Sequence, residues 1–191
     1  VGTMLDNGIV DNPATAVDDH QILIALGDTF SGTGQTGTWR SNVLLRSSDR
    51  NPADGITVPA GVIGDIFSGS PLSSPNFSRQ IIKSPGYLGF LGSEVTIIPT
   101  AGISVPYNNA YGARQYVSYM SVKSWDSPGR WTTNYAAVAY SDDNGQTWTV
   151  APSSIRSAGY FRTTTGYVSG NQNFQQSAFV KPPAESSDAN Y

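Results

Sequence analysis

Glycine or proline interrupts this 191-residue chain every few positions, with 20 of the first and 12 of the second. That alone denies it long helices. Glycine loses the most backbone freedom on ordering, and proline removes a donor and clashes with the preceding turn. Between the interruptions stand short runs rich in β-branched and aromatic residues. They are QILIALGDTF (21–30), SNVLLRSSD (41–49), SEVTIIPT (93–100), RQYVSYMSVKSW (114–125), NYAAVAYSDD (134–143) and QQSAFVK (175–181). Their lengths, composition and flanking turn residues predict strands. In the fourth run Tyr116, Ser118, Met120 and Val122 alternate with Gln115, Val117, Tyr119 and Ser121. Both sets carry apolar groups, as expected of a strand covered on both faces. The expected fold class is all-β.

The strands recur as a loose unit. Asp11, Glu94 and Gln175 each precede an apolar run, at intervals of 83 and 81 residues. A longer hydrophobic strand follows, and then, in the first two units, a strand ending in a Ser-Asp turn. Repeated groups of short antiparallel strands are the mark of a β-propeller. The units cover about 1–58, 93–150 and an incomplete 173–191, with loops expected at 31–38, 59–92, 101–113 and 151–172. Two and a half blades cannot close a ring, and open edges invite pairing. The chain is therefore expected to be the N-terminal part of one larger propeller domain, completed by further blades or by a second, nicked chain.

Composition narrows the chemistry. There is no cysteine and one histidine, so no thiol nucleophile, disulfide framework or two-histidine metal site exists. A Ser-His-Asp relay would have to use His20, which lies in the turn-like AVDDHQIL. Only 13% of residues are charged and the net charge is −3, against a nucleic-acid partner. No apolar run approaches the roughly 20 residues of a membrane-spanning helix. The chain opens with VGTMLDNG rather than a basic then apolar leader, which fits either an intracellular protein or one whose signal peptide is gone. No metal or cofactor is called for, although a cation in a propeller channel stays open.

The sharpest local motif is Ser141-x-Asp143-x-Gly145-x-Thr147-Trp148, within SDDNGQTW. It matches the Asp-box of sialidases and other propellers. The aspartate caps backbone N–H groups in a tight turn, the glycine supplies a positive φ, and the tryptophan packs beneath the hairpin. It is expected to be structural, because a sialidase would also need an arginine cluster that the eight arginines do not outline.

Chemistry falls to carboxylates. Glutamate occurs only at Glu94 and Glu185; Glu94 leads an apolar strand, where an unpaired carboxylate is costly. Asp11 and Asp28 stand near strand ends, the latter in GDTF. Acids converging at a channel mouth suit glycoside hydrolysis, in which one protonates the leaving oxygen and the other is base or nucleophile. Turn capping is the alternative reading of both aspartates. Sugar sites also need flat rings and amide or guanidinium donors. Trp39, Arg40 and Asn42 supply these in TWRSN, Trp125, Trp131 and Asn134 in SWDSPGRWTTN, and Asn173 and Gln175 in GNQNFQQ.

The blocks LIALGDTFSGTGQTGTWRSNVLLRSSDRNPADGI, SEVTIIPTAGI, RQYVSYMSVKSWDSPGRWTTNYAAVAYSDDNGQTW and GNQNFQQSAFVK resemble the DUF4185 family, common in mycobacteria and other actinobacteria. That family is linked to the endo-D-arabinanases of glycoside hydrolase family 183, which cut the D-arabinan of arabinogalactan and lipoarabinomannan. The resemblance implies a five-bladed propeller, of which this chain supplies about two and a half blades, and a secreted or envelope location. It implies two catalytic aspartates near the N-terminus. One maps onto Asp28 in GDTF. The other belongs to a GTDLG-like segment, where GTMLDNG carries Met4 instead of the aspartate. Counting back from Asp28 selects Asp11, with Asp6 and Glu94 in reserve. The expected function is hydrolysis of D-arabinofuranosyl linkages by Asp28 and Asp11. A non-catalytic carbohydrate-binding propeller is the alternative, and a sialidase-like hydrolase a third.

Overall fold

Three of the N-terminal segments pair as one antiparallel sheet: β1 (Gly2–Asp6), β2 (Ile22–Phe30) and β3 (Trp39–Ser47), in that order. A second antiparallel sheet holds β4 (Thr96–Pro106), β5 (Ala113–Ser127), β6 (Arg130–Ser141) and β7 (Thr149–Val150). A last short strand, β8 (Arg156–Ser157), shares the outer edge of β6 with β7. This computed structural model describes residues 2–11, 14, 20–30, 32–37, 39–49, 51–58, 81–82, 94–158, 169–183 and 185–186. Among them there is no α-helix, only single 3-10 turns at 52–54, 152–154 and 171–173.

Strand alternation explains how the sheets meet. Leu5, Leu23, Ala25 and Leu44 share one face of the first sheet and pack against Ile97, Val117, Tyr119 and Tyr135 of the second. Each fully buried leucine or isoleucine contributes about 1.5–3 kcal/mol. Tyr119 and Tyr135 meet edge to face at 6.1 Å, the arrangement aromatic quadrupoles favour. β1 crosses β4 closely: a Cβ at Gly102 would stand 2.9 Å from Leu5 Cδ2. The other face of the second sheet carries a smaller cluster of Ile98, Met120 and Val122. There Ser118 Oγ donates to the Ser177 carbonyl at 3.3 Å. β5 is thus buried on both faces, as its composition predicts.

Some boundaries differ from the sequence expectation. β1 precedes Asp11, so the first strand of the first unit ends before that residue instead of following it. β4 runs on through Pro99 to Pro106 by a bulge between Pro99 and Ala101, so 101–106 is strand, not loop. Proline is tolerated because β4 is an edge strand. Residues 175–181 join no ladder among the described residues. Most of the loop expected at 59–92 and the end of the third unit, 187–191, lie outside the described residues. Among the described residues the architecture is all-β, two antiparallel sheets that neither close a ring nor exclude one.

Candidate functional site

Asp28 breaks the ladder it sits in. β2 and β3 pair Gly27 with Asn42 and Thr29 with Arg40, but between them Asp28 takes φ +35°. A left-handed backbone costs a residue with a Cβ roughly 1–2 kcal/mol, least for Asp and Asn. Such strain persists where surrounding bonds over-determine it, and it clusters at functional sites. Here Asp28 Oδ1 accepts the Trp39 indole N–H at 3.0 Å and the Thr96 hydroxyl at 2.7 Å. Thr96 opens β4 and is buried, so both sheets fix the half-buried carboxylate.

An open cleft of about 620 Å³ lies over it, lined by Asp28, Phe30, Gln35, Trp39, Val95 and Trp125. Trp39 and Trp125 are 43% and 52% exposed, too much for core residues. Flat rings beside a carboxylate and an amide can stack on the C–H face of a sugar and bind its hydroxyls.

Glu94 directly precedes Val95 of the cleft lining and stands two residues before Thr96. Its Oε2 accepts the Ser121 hydroxyl at 2.7 Å and the Tyr135 phenol at 3.2 Å. Burial, then the neighbouring Tyr119 and the Glu94 charge, push the Tyr135 pKa far up, so the phenol remains a donor. Asn134 is buried and donates to Ser121 Oγ at 3.1 Å, which places it behind Glu94.

Asp6 and Asp11 lie at the other end of the first sheet. Asp6 faces Ile22, six residues from Asp28 along β2, or about 20 Å. Its carboxylate contacts His20 Nε2 and accepts the Gly8 N–H at 2.7 Å. Asp11 Oδ1 accepts the His20 backbone N–H at 2.8 Å, farther still from Asp28. Asp6 and Asp11 thus lie toward the His20 end of β2, away from Asp28, whereas Glu94 is linked to Asp28 through the short chain step to Thr96, whose hydroxyl Asp28 binds. Met4 pairs with Ile24 and is 58% exposed.

The other candidate residues divide similarly. Asn42 is fully buried. Its amide donates to the Ile82 carbonyl at 2.9 Å and accepts the Ile81 and Ile82 N–H groups at 3.1 and 2.8 Å. It pins a chain segment and offers nothing to a ligand. Arg40 is half-buried, and burial lowers its guanidinium pKa. Gln175 ties two segments, donating to the Arg156 and Asn171 carbonyls at 3.1 and 2.9 Å. Asn173 is exposed in a 3-10 turn. Trp131 packs edge-on against Trp125 with centroids 6.3 Å apart. Sequence reasoning missed Thr96, Phe30, Gln35 and Val95; Phe30 had a signal in closing the GDTF block itself, and Val95 in following Glu94.

The Asp-box turn is a staple. Asp143 accepts the Ser141 hydroxyl at 2.8 Å, the Thr147 N–H at 2.8 Å and the Thr147 hydroxyl at 2.6 Å. Burial raises its pKa, but the Thr147 and Ser141 bonds outweigh that and hold it below the usual carboxylate range. Gly145 takes φ +80°, and the Trp148 indole donates to its carbonyl at 2.9 Å. Asn7, just past β1, and Arg46 of β3 bond Asn144 at 3.2 and 2.7 Å, docking the turn at the end opposite Asp28.

Among the described residues, no group of three or more His, Asp or Glu could hold a metal ion, and no helix is long and apolar enough to cross a membrane. No curated protein matches the chain. The family model described as a domain of unknown function, DUF4185, matches residues 1–191. The chain therefore belongs to the DUF4185 family, as its GDTF and WRSN blocks lead one to expect.

Proposed function

We propose that the cleft over Asp28 binds a furanosyl polymer, and that the protein is a glycoside hydrolase of secreted or envelope location. The substrate would be the D-arabinan of arabinogalactan and lipoarabinomannan, a class implied by the resemblance to family 183 enzymes. The observation that carries the reading is Asp28 itself: a strained carboxylate bonded by Trp39 and Thr96, in a cleft walled by exposed tryptophans.

In this proposal Glu94 replaces Asp11 as the second carboxylate. A hydrolytic pair must flank one glycosidic bond at about 5–9.5 Å, and the length of β2 puts Asp11 and Asp6 out of that range of Asp28. Glu94 stands two residues from the hydroxyl that binds Asp28. One of the pair protonates the leaving oxygen, and the other activates water or attacks the anomeric carbon. The two sheets would be neighbouring blades of a five-bladed propeller.

A non-catalytic carbohydrate-binding propeller is the second reading. It is favoured by the exposed Met4, where the resemblance implies a catalytic aspartate. Incubating the full-length protein with mycobacterial arabinogalactan separates the two. Released oligosaccharides support hydrolysis, and binding without release supports the second reading. Neither binding nor release overturns both.

A further inference from the structure

Among the described residues, the β5–β6 hairpin extends past its partners in the sheet. Among the described residues, pairing of β4 to β5 stops at Val122, and the outer edge of β6 is bonded from Asn134 onward. The stretch between them, turning at Pro128–Gly129, is a two-stranded ribbon. It carries two exposed tryptophans.

Trp125 and Trp131 are cross-strand partners, which puts them on one face of the ribbon. Their rings stand at 71° with centroids 6.3 Å apart, and Trp131 is 41% exposed. The opposite face is pinned: Asp126 accepts the Ser124 and Thr132 hydroxyls at 2.7 and 2.8 Å. Three register shifts, the last between Trp125 and Ser127, twist the tip. Trp125 lines the Asp28 cleft and Trp131 does not, so the aromatic surface continues past the cleft wall by one ring.

We infer that the Trp131 ring is an outlying sugar subsite, occupied by a residue of the same glycan chain whose other residues fill the Asp28 cleft. This rests on the glycan reading above and adds to it a selection for length. A chain long enough to reach the ribbon gains a stacking contact, and a short one filling only the cleft does not. The face suits a neutral polyhydroxylated ring, since a tryptophan offers an apolar plane to C–H groups and leaves the hydroxyls in water.

The test compares binding of D-arabinan polymer and of an arabinofuranosyl disaccharide to the full-length protein by calorimetry. Trp131→Ala is expected to weaken polymer binding about tenfold, the order of one lost aromatic contact, and to leave disaccharide binding unchanged. Trp39→Ala, inside the cleft, weakens both. Trp131→Phe keeps a ring face and retains most of the polymer affinity, which separates lost stacking from a disturbed hairpin. Wild-type binding that Trp131→Ala leaves unaltered, or equal losses on both ligands, overturns the subsite alone. A wild-type protein that binds neither ligand overturns the glycan reading, and the subsite with it.

Discussion

Substitutions at Asp28 should reverse the usual order of alanine and glycine. In an ordinary strand, glycine is less stable than alanine by roughly 0.5–1 kcal/mol. At φ +35° alanine must bear the left-handed cost of about 1–2 kcal/mol that glycine escapes. Both variants lose the same bonds, from the Trp39 indole and the buried Thr96 hydroxyl, together about 2–3 kcal/mol. Asp28→Gly should therefore be more stable than Asp28→Ala by about 0.5–1 kcal/mol, or about 2 °C in Tm for a chain this size. Asp28→Asn tolerates the left-handed backbone and keeps an acceptor, so it should stay within about 1 kcal/mol of wild type. Urea and thermal unfolding followed by circular dichroism read all three. Asp28→Ala equal to or more stable than Asp28→Gly would refute the strain at this position and remove one support of the site.

Asp143→Ala removes three bonds to a charged acceptor in the Asp-box turn and should cost about 2–4 kcal/mol in urea unfolding. Because the folded Asp143 pKa is depressed, its contribution is complete above the ordinary carboxylate value and fades as pH falls through the folded one. Wild type should accordingly lose stability faster than Asp143→Asn between about pH 4 and pH 2. Asn42→Ala, which strips a fully buried amide of its bonds to Ile81 and Ile82, should cost about 3 kcal/mol. The Ile81 and Ile82 amides should then lose protection in hydrogen exchange.

The strands with the clearest apolar runs were legible, and the polar residues among them much less so. ILIAL in β2 and YVSYMSV in β5 declare themselves by composition. β1, GTMLD, has little intrinsic strand character and exists because β2 pairs with it, a context no local pattern contains. Missing it shifted the first unit and made Asp11 look like a strand-start acid. Once β1 is placed, the distance from Asp6 to Asp28 is most of the length of β2, and Asp11 bonds His20, before that strand begins. Asn42 was open to two readings, because an amide that binds a sugar and one that binds the backbone look alike in sequence. Burial decided between them. Asp28 was legible as a candidate through GDTF, whereas its φ and its Thr96 partner are products of packing two sheets together.

The most direct test of the central claim is oligosaccharide release from mycobacterial arabinogalactan by the full-length protein and three variants. Wild type and Asp11→Asn should both release arabino-oligosaccharides, while Asp28→Asn and Glu94→Gln, folded by circular dichroism, should each release at least a hundredfold less. Release undiminished in Asp28→Asn or Glu94→Gln, or abolished by Asp11→Asn, would contradict the assignment of the cleft and its two carboxylates.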